Sequence, residues 1–276
     1  MSDRTLPARI AAVVSDVDGT LLRHDKSLSA RTVSTVTRLR DAGIGFAIVS
    51  SRPLRGLTAL IEGLRISTFV AGFNGGVIAT PDLSPVRRHL IAPAVATQAV
   101  AAIERAGVEA WIFSERDWCV RDRQGLRVDF ERRTVGFDPT IVPNFSAVAQ
   151  HAAKIVAVSD DAPLLRRLQD GLRGLDANVA RSQSYYLDLT HPQANKGDAL
   201  RELARLMGVG AAQIAVLGDG ENDIPLFKAA GLSIAMSNAA ATVKAEADFA
   251  TGANDEDGAA EAIEWFVLRG MRTALR

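Results

Sequence analysis

From Ile10 to Val14 the chain is continuously apolar, and polarity returns abruptly at Ser15 and Asp16. A short apolar run bounded this sharply predicts a parallel strand covered on both faces. The period then changes. Val33, Val36 and Leu39 recur at helical spacing behind Ser29, a hydroxyl suited to an N-cap, and ahead of Gly43, which can take the left-handed conformation that ends a helix. A second buried strand, about Ile44 to Val49, ends in hydroxyls, and Leu54, Leu57, Leu60, Ile61 and Leu64 mark a second helix. "STFVAGFNGG", from Ser67 to Gly76, predicts a third strand closed by a turn. Strand and helix therefore alternate, which predicts an α/β fold: a doubly wound parallel sheet with helices on both faces and ligands at the carboxyl ends of the strands.

The same grammar returns late in the chain, with strands at Ile214–Asp219 and Leu232–Met236, a helix from about Asn195 to Met207 and a closing helix from Ala259 to Leu268. Between roughly Pro81 and Leu187 the texture differs. "EAWIFSERDWCVR" and "GLRVDFERR" suggest strands richer in charge and aromatics, Ala94–Arg105 an Ala-rich helix, and Lys154–Ala180 a βαβ-like piece. The expected division is a core of residues 1–81 and 188–276 interrupted by an inserted α+β domain, 82–187. A chain of 276 residues that is 47% hydrophobic has material for both cores.

Lys plus Arg and Asp plus Glu both total 32, so net charge offers no reason to expect a nucleic-acid or membrane partner, and any charged ligand must be held locally. Cys119 is the sole cysteine, which rules out an intramolecular disulfide and a thiolate metal cluster and fits a reducing compartment. No run approaches the roughly 18–20 apolar residues of a membrane span. The expectation is a cytoplasmic protein with a small-molecule substrate.

Four clusters fall at strand ends or helix starts: Asp16 with Asp18, Ser50, Lys196, and Asp219 with Asn222 and Asp223. Each supplies one part that phosphoryl transfer to a carboxylate needs. Asp16 can attack phosphorus and form an acyl phosphate. Two positions on, Asp18 points to the same side and can serve the leaving group and then the attacking water as general acid and base. Close carboxylates beside a phosphate call for a divalent cation, and oxygen-only ligands with scattered histidines favour Mg²⁺, its carboxylate set completed by Asp219. Asn222 and Asp223 can cap a helix and hold the inner ligands or Lys196, while the Lys196 ammonium and the Ser50 hydroxyl compensate charge on the transferring group. "DGENDI" also begins like a calcium loop, but its sixth position is Ile224 and its twelfth Ala230, where Gly and Glu are needed.

"DVDGTLL", the serine of "IVSSRP", the lysine of "ANKGDAL" and "GDGENDIPLF" together resemble the four motifs of the haloacid dehalogenase superfamily, in particular its Cof-like phosphatases with a type IIB cap. The resemblance implies a Rossmann-like core, an inserted cap that closes over it, and a Mg²⁺-dependent phosphatase for small phosphorylated metabolites such as sugar phosphates. It further implies Asp16 as nucleophile, Asp18 as acid and base, Mg²⁺ on the Asp16 and Asp219 side chains and the Asp18 main-chain carbonyl, phosphate contacts from Ser50 and Lys196, support from Asn222 and Asp223, and Asn74 near the substrate. One departure is that the second motif reads Ser50-Ser51-Arg52 where Thr-Gly-Arg is commoner, so Ser50 and Ser51 can exchange roles. The alternatives are a phosphomutase of the same superfamily and a low-turnover sensing module that binds Mg²⁺ and phosphate.

Overall fold

The computed structural model describes residue 7 and residues 9–269; the outer limits of the expected core, residues 1 and 276, lie outside them. In chain order the strands are β1 (Ala12–Ser15), β2 (Gly45–Val49), β3 (Val70–Gly72), β4 (Val77–Ala79), β5 (Pro85–Arg88), β6 (Glu109–Phe113), β7 (Trp118–Val120), β8 (Thr140–Ile141), β9 (Lys154–Val158), β10 (Asn178–Gln183), β11 (Tyr186–Thr190), β12 (Ile214–Gly218), β13 (Leu232–Ala235) and β14 (Phe249–Ala250). They form two sheets, ordered β14-β13-β12-β1-β2-β3-β4-β5 and β10-β11-β9-β6-β7-β8.

In the first sheet the strands from β14 to β3 run parallel, and β4 and β5 add an antiparallel hairpin edge. The chain leaves β1 toward β2 and returns on the other side to β12, so β1 stands at the switch in strand order where an open α/β sheet forms its crevice. Alternation decides the layers. Ala12, Val14, Ala47 and Val49 pack with Leu200, Leu203 and Leu226 of the helices Lys196–Met207 and Ile224–Ala229. Val13, Phe46, Ile48 and Leu217 pack with Val36, Leu39, Ala259 and Ala262 on the opposite side. Ser29 caps the helix Ala30–Asp41 by accepting from the Thr32 N–H at 3.0 Å, and Gly43 takes φ +71° after it, both as the periodicity predicts.

The second sheet is mixed, with β9 and β10 parallel but separated by β11, so the expected βαβ piece is split by a later strand. One segment departs from its predicted type. "GLRVDFERR" is not a strand; Val128–Val135 forms a helix with Asp129 and Glu131 in its first turn, Arg132 and Arg133 in its last, and Gly136 closing it at φ +81°. The buried pair Val128 and Val135 repeats at seven residues, and the charges are placed to suit the helix dipole, so periodicity and electrostatics outweigh the β-branched content. The closing helix is α-helical only over Gly258–Ala262 and continues as a π-helical turn over Ile263–Leu268.

Sheet membership also moves the junctions. β5 pairs with β4 beyond residue 81, and β11 belongs to the second sheet beyond residue 187. The connections lie just past these strands, where the rings of His89 and His191 stack with centroids 5.0 Å apart. Trp111 and Trp118 are fully buried and meet edge to face at 5.2 Å, covering the second sheet instead of facing ligand space. A single apolar cluster includes Leu57 and Phe73 from the first-sheet side and Phe113, Trp118 and Val128 from the second.

Candidate active site

Four chain segments converge at the carboxyl ends of β12, β1, β2 and β3. Asp16 follows β1 directly, and its N–H donates to the Leu217 carbonyl at 3.0 Å, extending the pairing with β12. Asp219 follows β12. Ser50 follows β2, its N–H donating to Ala71 at 2.9 Å. Lys196 is the first residue of its helix, whose N-cap Asn195 accepts from the Asp198 N–H at 2.9 Å.

Lys196 is almost wholly buried, and its Nζ donates to Asp16 Oδ1 and to Asp223 Oδ1, both at 2.6 Å. Asp223 Oδ2 accepts from the N–H groups of Asp219 at 3.0 Å and Gly220 at 2.9 Å, so this carboxylate braces the β12 loop and the lysine together. Gly218 permits that closeness, since a Cβ there would lie 2.5 Å from the Asp223 Cγ. Gly19 is needed for a similar reason. It takes φ +80°, and a Cβ would lie 2.2 Å from Asp219 Oδ2, while the next residue, Thr20, donates to Asp219 Oδ1 at 2.9 Å.

One ammonium faces three carboxylates here. Burial drives the Asp16 carboxyl well above the usual range against the pull of Lys196, with Asp223 and Asp219 adding to the rise. Burial also raises Asp219, with the Thr20 hydrogen bond opposing it and Asp223 reinforcing it. Lys196, which burial alone would lower, is held above its ordinary value by Asp16 and Asp223. The surplus negative charge favours a cation or a proton on the carboxylates. Oxygens of Asp16, Asp219 and Asp223 all lie within 4.8 Å of one another. Since Lys196 and two backbone N–H groups occupy Asp223, the side chains with capacity for an ion are Asp16 and Asp219. This all-oxygen set fits a hard divalent cation.

Asp18 faces the same cavity as Asp16, and its carboxylate is bound by Arg52, 34 positions along the chain. Arg52 Nε donates to its Oδ2 at 2.6 Å and Arg52 Nη2 to its Oδ1 at 2.7 Å, while Lys26 Nζ adds a bond at 2.8 Å. Burial works to raise this carboxyl, and the bonds and charges of Arg52 and Lys26 outweigh it, leaving Asp18 below the ordinary value. Of the two serines, Ser51 lines the cavity. Ser50 is buried, its Oγ accepting from the Arg52 N–H at 3.1 Å. Asn222 Nδ2 donates to Asn74 Oδ1 at 3.0 Å, which ties the β12 loop to the turn after β3. In that turn Phe73 and Asn74 both hold positive φ, at 53° and 56°, secured by bonds from their N–H groups to the carbonyls of Arg52 and Ser50. Strain of this kind at two residues without glycine's freedom marks a turn fixed by its surroundings.

These groups open on a cavity of about 550 Å³ between the two sheets. Its far wall carries Lys154, Tyr186 and Asp188 from the second sheet and Glu131 from the helix Val128–Val135. Lys154 and Asp188 form an ion pair at 2.6 Å, and Tyr186 OH donates to Glu131 Oε2 at 3.2 Å. Burial raises the Glu131 carboxyl, against the attraction of Lys154. The alternation in "YLDLT" was the available signal for this wall, since it sets Tyr186, Asp188 and Thr190 on one face.

Residues 13–263 match the sequence family of haloacid dehalogenase-like hydrolases. The chain belongs to this family. Among curated proteins, a "Putative phosphatase" of Haemophilus influenzae is 28% identical over 92% of this chain and 97% of its own length. A 5-amino-6-(5-phospho-D-ribitylamino)uracil phosphatase of Bacillus subtilis is 26% identical over 93% of this chain and 97% of its own. Among solved structures, a haloacid dehalogenase-like hydrolase from Bacteroides thetaiotaomicron superposes with a TM-score of 0.86 at 28% identity, covering 93% of this chain and 99% of that one. The family and the α/β Rossmann-like fold are those that the four sequence motifs led one to expect. In this haloacid dehalogenase-like hydrolase all four motifs reach one end of the sheet, and no helix among the described residues is long and apolar enough to cross a membrane.

Proposed function

We propose that this haloacid dehalogenase-like hydrolase is a Mg²⁺-dependent phosphatase of small phosphate monoesters, acting through an aspartyl-phosphate on Asp16. The observation that carries it is the buried Lys196, bonded at 2.6 Å to Asp16 and to Asp223 beside a second open carboxylate, Asp219. The lysine fixes the Asp16 side chain in the cavity wall and offsets charge as phosphorus is attacked. Mg²⁺, held by Asp16, Asp219 and the Asp18 carbonyl, would neutralise charge on the transferring phosphoryl group.

In the first half-reaction an Asp16 oxygen bonds to phosphorus as the ester P–O bond breaks, and the leaving oxygen takes a proton from Asp18. In the second, water bonds to phosphorus, gives its proton to Asp18, and Asp16 is released with inorganic phosphate. Asp18 stands ready as the base. Its acid role requires a proton that Arg52 opposes, and a phosphate dianion in the cavity competes with Asp18 for that guanidinium. Ser51 faces the phosphate space, Ser50 orders the loop through Arg52, and Asn222 with Asn74 frames the other side. The segment between His89 and His191 acts as the cap, and the buried lone cysteine fits a cytoplasmic location.

The test is phosphate release from p-nitrophenyl phosphate with and without Mg²⁺, followed by hydroxylamine capture of an acyl phosphate. Asp16→Asn should abolish both. Full activity in that variant, or stoichiometric isomerisation of a phosphosugar without phosphate release, would overturn the proposal.

A further inference from the structure

Within the turn after β1, the N–H groups of Thr20, Leu21 and Leu22 converge on one acceptor, the Val17 carbonyl, at 3.4, 3.0 and 3.0 Å. Two carbonyls of the same turn accept from side-chain amides instead. Asn238, just beyond β13, donates through Nδ2 to the Gly19 carbonyl at 2.9 Å, and Asn254, just beyond β14, donates through Nδ2 to the Leu22 carbonyl at 2.9 Å. The two loops are linked in turn, since the Asn254 N–H donates to Asn238 Oδ1 at 3.1 Å. A carbonyl only accepts and an N–H only donates, so the orientation of the Asn238 amide is forced. Both oxygens of Asp219 rest against the segment that is strapped in this way: Oδ1 accepts from Thr20 at 2.9 Å, and Oδ2 lies too close to Gly19 for a Cβ there.

We propose that Asn238 and Asn254 are positioning residues, which act through the turn after β1 to fix the Asp219 carboxylate for a divalent cation; this rests on the phosphatase proposal. Neither asparagine is among the described residues that line the cavity, and Asn238 is exposed, so neither touches a substrate held there. The residues that follow the turn are fastened separately, by the bond from the His24 N–H to Asp255 Oδ1 at 2.7 Å and by the ion pair of Arg23 with Asp257 at 2.9 Å. Loss of one asparagine therefore leaves the segment attached and frees only the part that lies against Asp219. Partners that orient a metal ligand are worth about 10–100-fold in metal affinity, and the asparagines stand one contact further out, which sets a smaller effect.

The experiment compares the whole chain with Asn238→Ala, Asn254→Ala and Arg23→Gln, the last as a control for the separate fastening. Mg²⁺ binding is read by isothermal titration calorimetry without substrate, and kcat and KM on p-nitrophenyl phosphate. Each asparagine variant should bind Mg²⁺ about fivefold more weakly and lose turnover at subsaturating Mg²⁺ by a similar factor, with KM for the ester within about twofold of the wild type. Arg23→Gln should bind Mg²⁺ no more weakly than the wild type, whatever its Tm. Should Asn254→Ala not fold, the exposed Asn238 decides alone. Wild-type Mg²⁺ affinity in either folded asparagine variant, or an equal weakening in Arg23→Gln, overturns the positioning role and leaves the phosphatase intact. A wild type that binds no Mg²⁺ or releases no phosphate overturns the phosphatase proposal and the positioning role with it.

Discussion

At the scale of single residues, the site is governed by the mismatch between one buried ammonium and three carboxylates. Lys196→Met leaves Asp16 and Asp223 without their cation, and loss of one partner from a buried pair costs about 3–5 kcal/mol. Urea denaturation at neutral pH should register that loss, and it should shrink in mild acid as the carboxylates take protons; a loss below about 1 kcal/mol would contradict the buried pairing. The same mismatch sets a pH dependence. Because the folded-state values of Asp16 and Asp219 lie above the ordinary 3.8, the folded protein holds protons that the unfolded chain releases. Their favourable contribution is therefore complete in acid and fades as pH rises from that value through the raised ones. On the proposed function Mg²⁺ would take the protons' place, so the rise in Tm with millimolar Mg²⁺ should be larger near about pH 8 than near about pH 5, and EDTA should reverse it. An equal rise in Asp219→Asn would move the ion elsewhere. Asp18 has the opposite sign, its stabilising ion pair being lost as pH falls through a depressed value.

At the scale of elements, strand ends and turns position these charges more than the helices do. Val13–Ser15 and Ala215–Leu217 run side by side in register, so the residues that leave the two strands arrive together. The turn after β1 must then fold back beneath Asp219, which only a residue free to adopt φ +80° allows. Gly19→Ala should cost about 1–3 kcal/mol through backbone strain and, by pushing on the Asp219 carboxylate, should lower kcat as well. Thermal melting and steady-state kinetics on the same preparation test both parts, and wild-type kcat would show that the loop absorbs the methyl group. Periodicity alone found β1, β2 and the helix Ala30–Asp41 because their apolar positions are dense and their caps are local. It misassigned Gly125–Arg133, where Val128 and Phe130 suggest a strand until the burial of Val135 reveals a helical face.

At the scale of the whole molecule, the two sheets are joined through aromatic packing beside the cavity. Phe113 of β6 lies 6.4 Å from Phe73, in the turn that carries Asn74, and stacks on Trp118 at 5.7 Å. Phe113→Ala should lower global stability by about 3–5 kcal/mol, the usual cost of emptying an aromatic site in a core. It should also raise KM more than it lowers kcat, since it widens the chamber without touching Asp16; differential scanning calorimetry and kinetics on one aryl phosphate check this, and unchanged stability would mean that the sheets do not depend on this contact.

What the sequence determined by itself was local: where strands end, which helices are capped, and that acidic, hydroxyl and ammonium groups sit at those ends. Such features depend on neighbours a few residues away, and they sufficed for the fold class and for the candidates Asp16, Asp219, Asp223 and Lys196. The tertiary structure alone decided that Arg52 grips Asp18, that Ser51 lines the cavity while the Ser50 hydroxyl accepts from the Arg52 N–H, and that Lys154, Asp188 and Glu131 stand across from the carboxylates. These outcomes rest on strand order, register and the meeting of two sheets. Such contacts join residues tens of positions apart, and no short-range periodicity encodes them.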